Sequence, residues 1–272
     1  MSHIIVEDDK TKESYRKYEE DCEVAHFYKE NHINQTYEYV RKIHNEIFPL
    51  GRWKLSIFEV ISLLDEIVDK SDPDTSKTQT VHALQAGEAC RKARPEDDWF
   101  HLTGFIHDLG KILTHPNMHN LPQWSTVGDT FPVGCAYSEK CVYPDYFKLN
   151  PDYYNEKYRS EVGIYSEKIG FDNVLMSFGH DEYLYQVLKN SSCILPQEAL
   201  YIIRFHSFYP WHKNEAYSHL ANENDWKLLP WLREFQKCDL YSKVDVEIDV
   251  DLLLPYYKGL IKKYFPQSIL EW

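Results

Sequence analysis

Strongly apolar, helix-spaced stretches of this chain are interrupted by ionisable groups. His82 sits in TVHAL, His107 and Asp108 in FIHDLGK, His180 in FGHDEY, His206 in IIRFHSF and Asp239 in KCDLYSK. Such groups are costly to bury unless they are paired, hydrogen-bonded or bound to a cation. A fold for this chain therefore has to give these side chains partners inside its core.

The surrounding pattern predicts helices. Apolar residues among charges from Glu13 to Ile47 suit one or two amphipathic helices, and Ile57 to Val68 forms a dense stripe stopped by DKSDPDTSKT. Further helices are expected over Thr80–Arg94, Asp98–Leu113 with Asp97 or Asp98 as cap, Ser160–Ile169, Asp181–Lys189, Gln197–Phe208, Trp231–Ser242 with Pro230 near its start, and Asp249–Phe265. Between His115 and Arg159 the helical period lapses and prolines recur, with a candidate short hairpin around STVGDTFPVG. An excursion of that length reads as a functional loop. The expectation is an all-α, single-domain fold over residues 13–272, with a flexible stretch at 1–12.

Composition narrows the function. At 272 residues the chain can bury a core without staples, and its net charge of -13 repels nucleic-acid phosphates and anionic membrane surfaces. No apolar run is long enough to span a bilayer, and the first residues are too polar for a signal peptide. Six cysteines without a CxxC pair suggest free thiols. The reading is a cytoplasmic protein, monomeric, with no nucleic-acid or membrane partner.

Taken singly, each buried histidine reads as an ordinary core residue. Taken together, imidazoles and carboxylates are the nitrogen and oxygen donors that suit iron, manganese or zinc. On a helix, adjacent His107 and Asp108 would point about 100° apart, so that Asp108 could turn toward a second metal. His180 and His206 are the candidate ligands there. The other histidines, at 26, 32, 44, 101, 115, 119, 212 and 219, read as structural or solvated. Lys111 and Lys243 follow Asp108 and Asp239 by three and four residues. Either pair could be a plain salt bridge. Their repetition favours cations lining a cleft.

The order His, His-Asp, Asp is the metal signature of the HD-domain superfamily. The strings HDLGK, GDTFPVG, GHDEY and RFHSFYPWH extend the match, so the chain resembles the myo-inositol oxygenase family from about Arg16 onward. That resemblance implies two irons in a mixed-valent Fe(II)/Fe(III) pair and no organic cofactor. His82, His107 and Asp239 would bind one iron and His180 and His206 the other, with Asp108 bridging. It implies Lys111 and Asp108 as catalytic residues. Substrate contacts would come from Arg16, Asp69, Lys70, Ser71, Lys111, Gly128, Asp129, His206, Ser207 and Lys243. The implied reaction is oxidative opening of myo-inositol by O2 to D-glucuronate. Two features depart from the family: HPNMHNLP looks long, and Lys70 stands where an acidic residue is frequent. The rival readings are an HD phosphohydrolase and an inactive scaffold, the latter expected to have lost ligands.

Overall fold

The computed structural model describes residues 23–67, 78–241 and 248–272. Among them the chain forms ten α-helices: α1 (Glu23–Asn34), α2 (Tyr37–Ile47), α3 (Ile57–Leu64), α4 (Gln79–Ala93), α5 (Asp98–Ile106), α6 (His180–Lys189), α7 (Gln197–Phe205), α8 (Tyr209–Asn214), α9 (Glu223–Tyr241) and α10 (Val250–Tyr264). Strands β1 (Lys54–Ser56) and β2 (Ile269–Glu271) form an antiparallel pair, with Leu55 opposite Leu270. The all-α reading is met. The flexible stretch expected at 1–12 lies outside the described residues.

Helix starts follow local chemistry. Ser56 caps α3 in a reciprocal capping box with Glu59, Thr36 caps α2 and Asp249 caps α10. The centre of the fold is α4, which packs on α5 and α9, while α6 lies along α7. Leu84, Leu102, Ile106, Leu109, Ile112, Ile203 and Leu232 are buried there, and the core extends to Trp272, whose indole N–H donates to the Leu55 carbonyl.

Several expectations need correction. The helix expected over Asp98–Leu113 ends at Ile106, and Leu109–Thr114 continues as a 3-10 turn, because Asp108 takes φ -93, ψ 1. Ser160–Ile169 is not helical, since Gly163 and Lys168 both adopt positive φ. The helix expected from Trp231 starts at Glu223, where the Asn222 side chain accepts from the Asn224 and Asp225 amides, and Pro230 lies inside it. Gln197–Phe208 stops at Phe205, and α8 follows. The hairpin within STVGDTFPVG does not form, because residues 131–133 pair instead with 175–177. The 115–159 excursion is not loose. Phe131, Val133, Cys135, Phe147 and Asn150 are buried within it.

Two contacts aim the start of α6. Gln35 and Phe178 exchange hydrogen bonds, side-chain amide to carbonyl and backbone amide to side-chain oxygen, at 2.8 and 2.9 Å. The Thr126 carbonyl accepts from the His180 backbone amide at 2.8 Å. Together they fix where α6 begins, and His180 is its first residue.

Candidate metal centre

His82 projects from α4, Asp239 from α9, His107 follows α5, His206 follows α7, and Asp108 opens the 3-10 turn. All six candidate ligands are buried. Asp108 stands between them. Its Oδ2 lies 3.3 Å from His82 Nε2 and 3.4 Å from His107 Nε2, while its Oδ1 lies 3.2 Å from His180 Nε2 and 3.6 Å from His206 Nε2. Asp239 Oδ1 closes the first half at 3.4 Å from His82 Nε2 and 3.5 Å from His107 Nε2. The donors thus divide into two groups that could each hold a metal, with Asp108 common to both.

The imidazoles are oriented for ligation. His107 Nδ1 lies 2.8 Å from the Gly104 carbonyl, His180 Nδ1 2.8 Å from that of Thr126, and His206 Nδ1 2.9 Å from that of Ile203. A carbonyl only accepts, so each Nδ1 carries a proton and each ring turns its Nε2 inward, where a lone pair faces the pocket whenever that nitrogen is unprotonated. His180 Nε2 and His206 Nε2 then face each other at 3.1 Å. Two lone pairs that close repel unless a proton or a metal ion lies between them. His82 Nδ1 is buried without a hydrogen-bond partner.

The electrostatics carry the same demand. Burial depresses His82 and His206, but the carboxylates around them outweigh it and raise both to about 9. Burial likewise opposes ionisation of Asp108 and Asp239, yet the neighbouring histidines, with Lys111 at Asp108, hold both carboxyls well below the usual range. The pocket stabilises positive charge, which bound metal cations could supply. The donor set fits a pair of metals of the kind that nitrogen and oxygen ligands favour.

The 3-10 turn has a further effect. Residues three apart eclipse in such a turn, and Lys111 Nζ reaches Asp108 Oδ2 at 2.8 Å. Lys111 also borders a pocket with Leu64, Ile67, Gln79, Thr114, Gln123 and Val127. Gly110 is required by close approach: a Cβ there would lie 2.1 Å from the His180 carbonyl oxygen. HDLGK thereby seats α6 as well as supplying two of the candidate ligands.

The expected substrate residues are partly placed. Gly128 holds φ +89, and a Cβ on it would meet the Phe27 ring at 2.7 Å. Asp129 is buried and accepts from the Tyr28 hydroxyl at 2.9 Å. Ser207 follows His206, and its carbonyl accepts from the Thr130 amide at 2.9 Å, which joins the 126–130 loop to the metal pocket. Arg16, Asp69, Lys70, Ser71 and Lys243 lie outside the described residues. Sequence reasoning missed Asp181, which is buried against both His180 and Ser207. The signal was present: GHDEY contains a second His-Asp pair. His32, His101, His115 and His212 are also buried but are not among the six candidate ligands; His212 Nε2, for example, donates to the His206 carbonyl.

Comparison with known proteins agrees with this geometry. Residues 21–272 match the family model of myo-inositol oxygenase. The chain is 53% identical over 263 residues to a probable inositol oxygenase of Oryza sativa subsp. japonica, covering 95% of this chain and 85% of that one. It is 50% identical to an inositol oxygenase of Dictyostelium discoideum, covering 96% and 90%, and 49% identical to that of Homo sapiens, covering 90% and 85%. With the pocket's six donors lying inside the matched span, the chain belongs to the myo-inositol oxygenase family.

Proposed function

We propose that this protein is an inositol oxygenase that opens the myo-inositol ring with O2 to give D-glucuronate and water, a four-electron oxidation. The observation that carries the reading is the division of four imidazoles between the two oxygens of Asp108. His82, His107 and Asp239 would hold one iron, His180 and His206 the other, and Asp108 both. The bound pair, in the Fe(II)/Fe(III) state, supplies Lewis acidity toward a substrate hydroxyl and electrons for O2.

The chain's own residues do the rest. Lys111 places an ammonium where a substrate oxygen loses its proton, a preorganised charge on a largely buried side chain. Asp129 and Ser207, with Arg16, Asp69, Lys70, Ser71 and Lys243, orient a polyol whose six carbons are otherwise alike; Gly128 leaves room for it by keeping the loop backbone close to α1. Residues 13–272 act as one domain, as a monomer in the cytoplasm, without an organic cofactor. Among the described residues no helix is long and apolar enough to cross a membrane.

The test is metal analysis with electron paramagnetic resonance and product assay. Two irons per chain, a coupled mixed-valent signal perturbed by myo-inositol, and O2-dependent glucuronate are expected. Phosphate-ester hydrolysis without O2 consumption would instead favour the hydrolase alternative.

A further inference from the structure

Asp181 is buried and is not among the six proposed ligands, yet it touches the centre at two places. Its Oδ2 accepts from the Ser207 backbone amide at 3.0 Å, and its Oδ1 lies 2.9 Å from Ser207 Oγ. The same Oδ1 is 3.0 Å from His180 Nε2, and Oδ2 is 3.6 Å from His206 Nδ1. A carboxylate oxygen can only accept, so the Ser207 hydroxyl has to point its hydrogen at Asp181. What remains of Ser207 Oγ is a pair of lone pairs.

From this geometry we propose that Asp181 is a positioning residue, fixing Ser207 as a hydrogen-bond acceptor so that the site selects a donating hydroxyl of the bound polyol. The inference rests on the inositol oxygenase reading and adds the polarity of one contact. A free serine hydroxyl can turn to suit either partner; a tethered one cannot. A polyol hydroxyl offers a donor, while a carbonyl or ether oxygen at the same place meets a second acceptor and is rejected. The tether also joins α6 to the end of α7, holding His180 and His206 in one frame.

Asp181→Asn tests this in the full-length, iron-loaded protein. The asparagine oxygen still accepts from the Ser207 amide, but its NH2 group donates to Ser207 Oγ and turns the hydroxyl outward as a donor. The dissociation constant of myo-inositol, measured calorimetrically without O2, should rise about tenfold while two irons per chain are kept. In a Ser207→Ala background the same substitution should change it less than twofold. Loss of one iron from Asp181→Asn would make the residue a metal ligand and overturn the proposal. A tenfold cost repeated in the Ser207→Ala background would reduce it to framework support and overturn it equally. Wild-type protein with no affinity for myo-inositol would instead sink the functional reading, and this inference with it.

Discussion

The two halves of the candidate metal centre are built differently. His82, His107 and Asp239 come from α4, the end of α5 and α9, helices packed on one another through apolar contacts. Behind them Phe100, Ile202 and Phe235 form a cluster with the free thiols Cys90 and Cys238. His180 and His206 instead sit at helix ends held by irregular backbone: the Thr126 carbonyl, the Gln35–Phe178 pair, the Gly110 contact and the Asp181–Ser207 tether. The first half depends on side-chain volume, and the second on hydrogen bonds and close backbone approach. The first should therefore resist local damage that the second does not.

The largest expected effect follows from Gly110. Gly110→Ala keeps all six ligands but drives a methyl into the His180 carbonyl, so activity should fall more than about a hundredfold and iron content should drop toward one per chain. Retention of both irons would show that α6 can shift without cost and would erase the contrast. His82→Ala and His206→Ala complete the comparison. Each removes a proposed ligand, and each should lose iron and activity together, His206→Ala more selectively from its own half.

Lys111→Ala should keep both irons and lose about two to three orders of magnitude in kcat/KM, as the loss of one preorganised charge does. Normal kinetics would leave Lys111 as a simple salt-bridge partner of Asp108. Tyr28→Phe probes the loop that carries Asp129. It removes the hydrogen bond to Asp129, and inositol affinity should weaken about fivefold. Amide exchange should show added protection over residues 120–135 with myo-inositol; protection confined to the ligand helices would mean that the loop does not close on substrate.

The smallest effect concerns acid stability, away from both halves. Burial pushes His32 down to about 4, and burial with the nearby Arg52 does the same to His119. Both rings are neutral in the fold while the unfolded chain takes up protons below about 6.5. The contribution of these two rings should be level above pH 6.5 and decline as pH falls toward 4. His119→Phe, which keeps an aromatic ring beside Trp53 and Tyr183, should flatten part of that decline in urea titrations. An unchanged slope would remove His119 from the account.

Legibility in the sequence follows the same division. His82, His107 and Asp239 break otherwise apolar helical faces, and periodicity finds such breaks. Gly110 interrupts no pattern, and its role appears only when α6 meets the 3-10 turn; Asp181 shows as a second His-Asp pair, but its partner Ser207 is set only when α6 meets the end of α7. The candidate hairpin at STVGDTFPVG failed because its partner lies some forty residues onward, beyond any local signal. Pro230 misplaced the start of α9 because proline is usual at the first turn, and Asn222 supplied a stronger cap upstream. The β1–β2 pair is only three residues per strand, too short for alternation to register. The substrate residues expected from family resemblance fall partly outside the described segments, so the placed ones are Lys111, Gly128, Asp129, His206 and Ser207.

Asp108 has one more consequence. A single carboxylate facing both halves couples their occupancy: a cation drawn to Oδ2 changes the charge available at Oδ1, and linkage requires the reverse effect to be equal in size. Loading the centre is then not two independent equilibria, and its binding isotherm should depart from that of two separate sites. A mutation that tightens one half necessarily retunes the other.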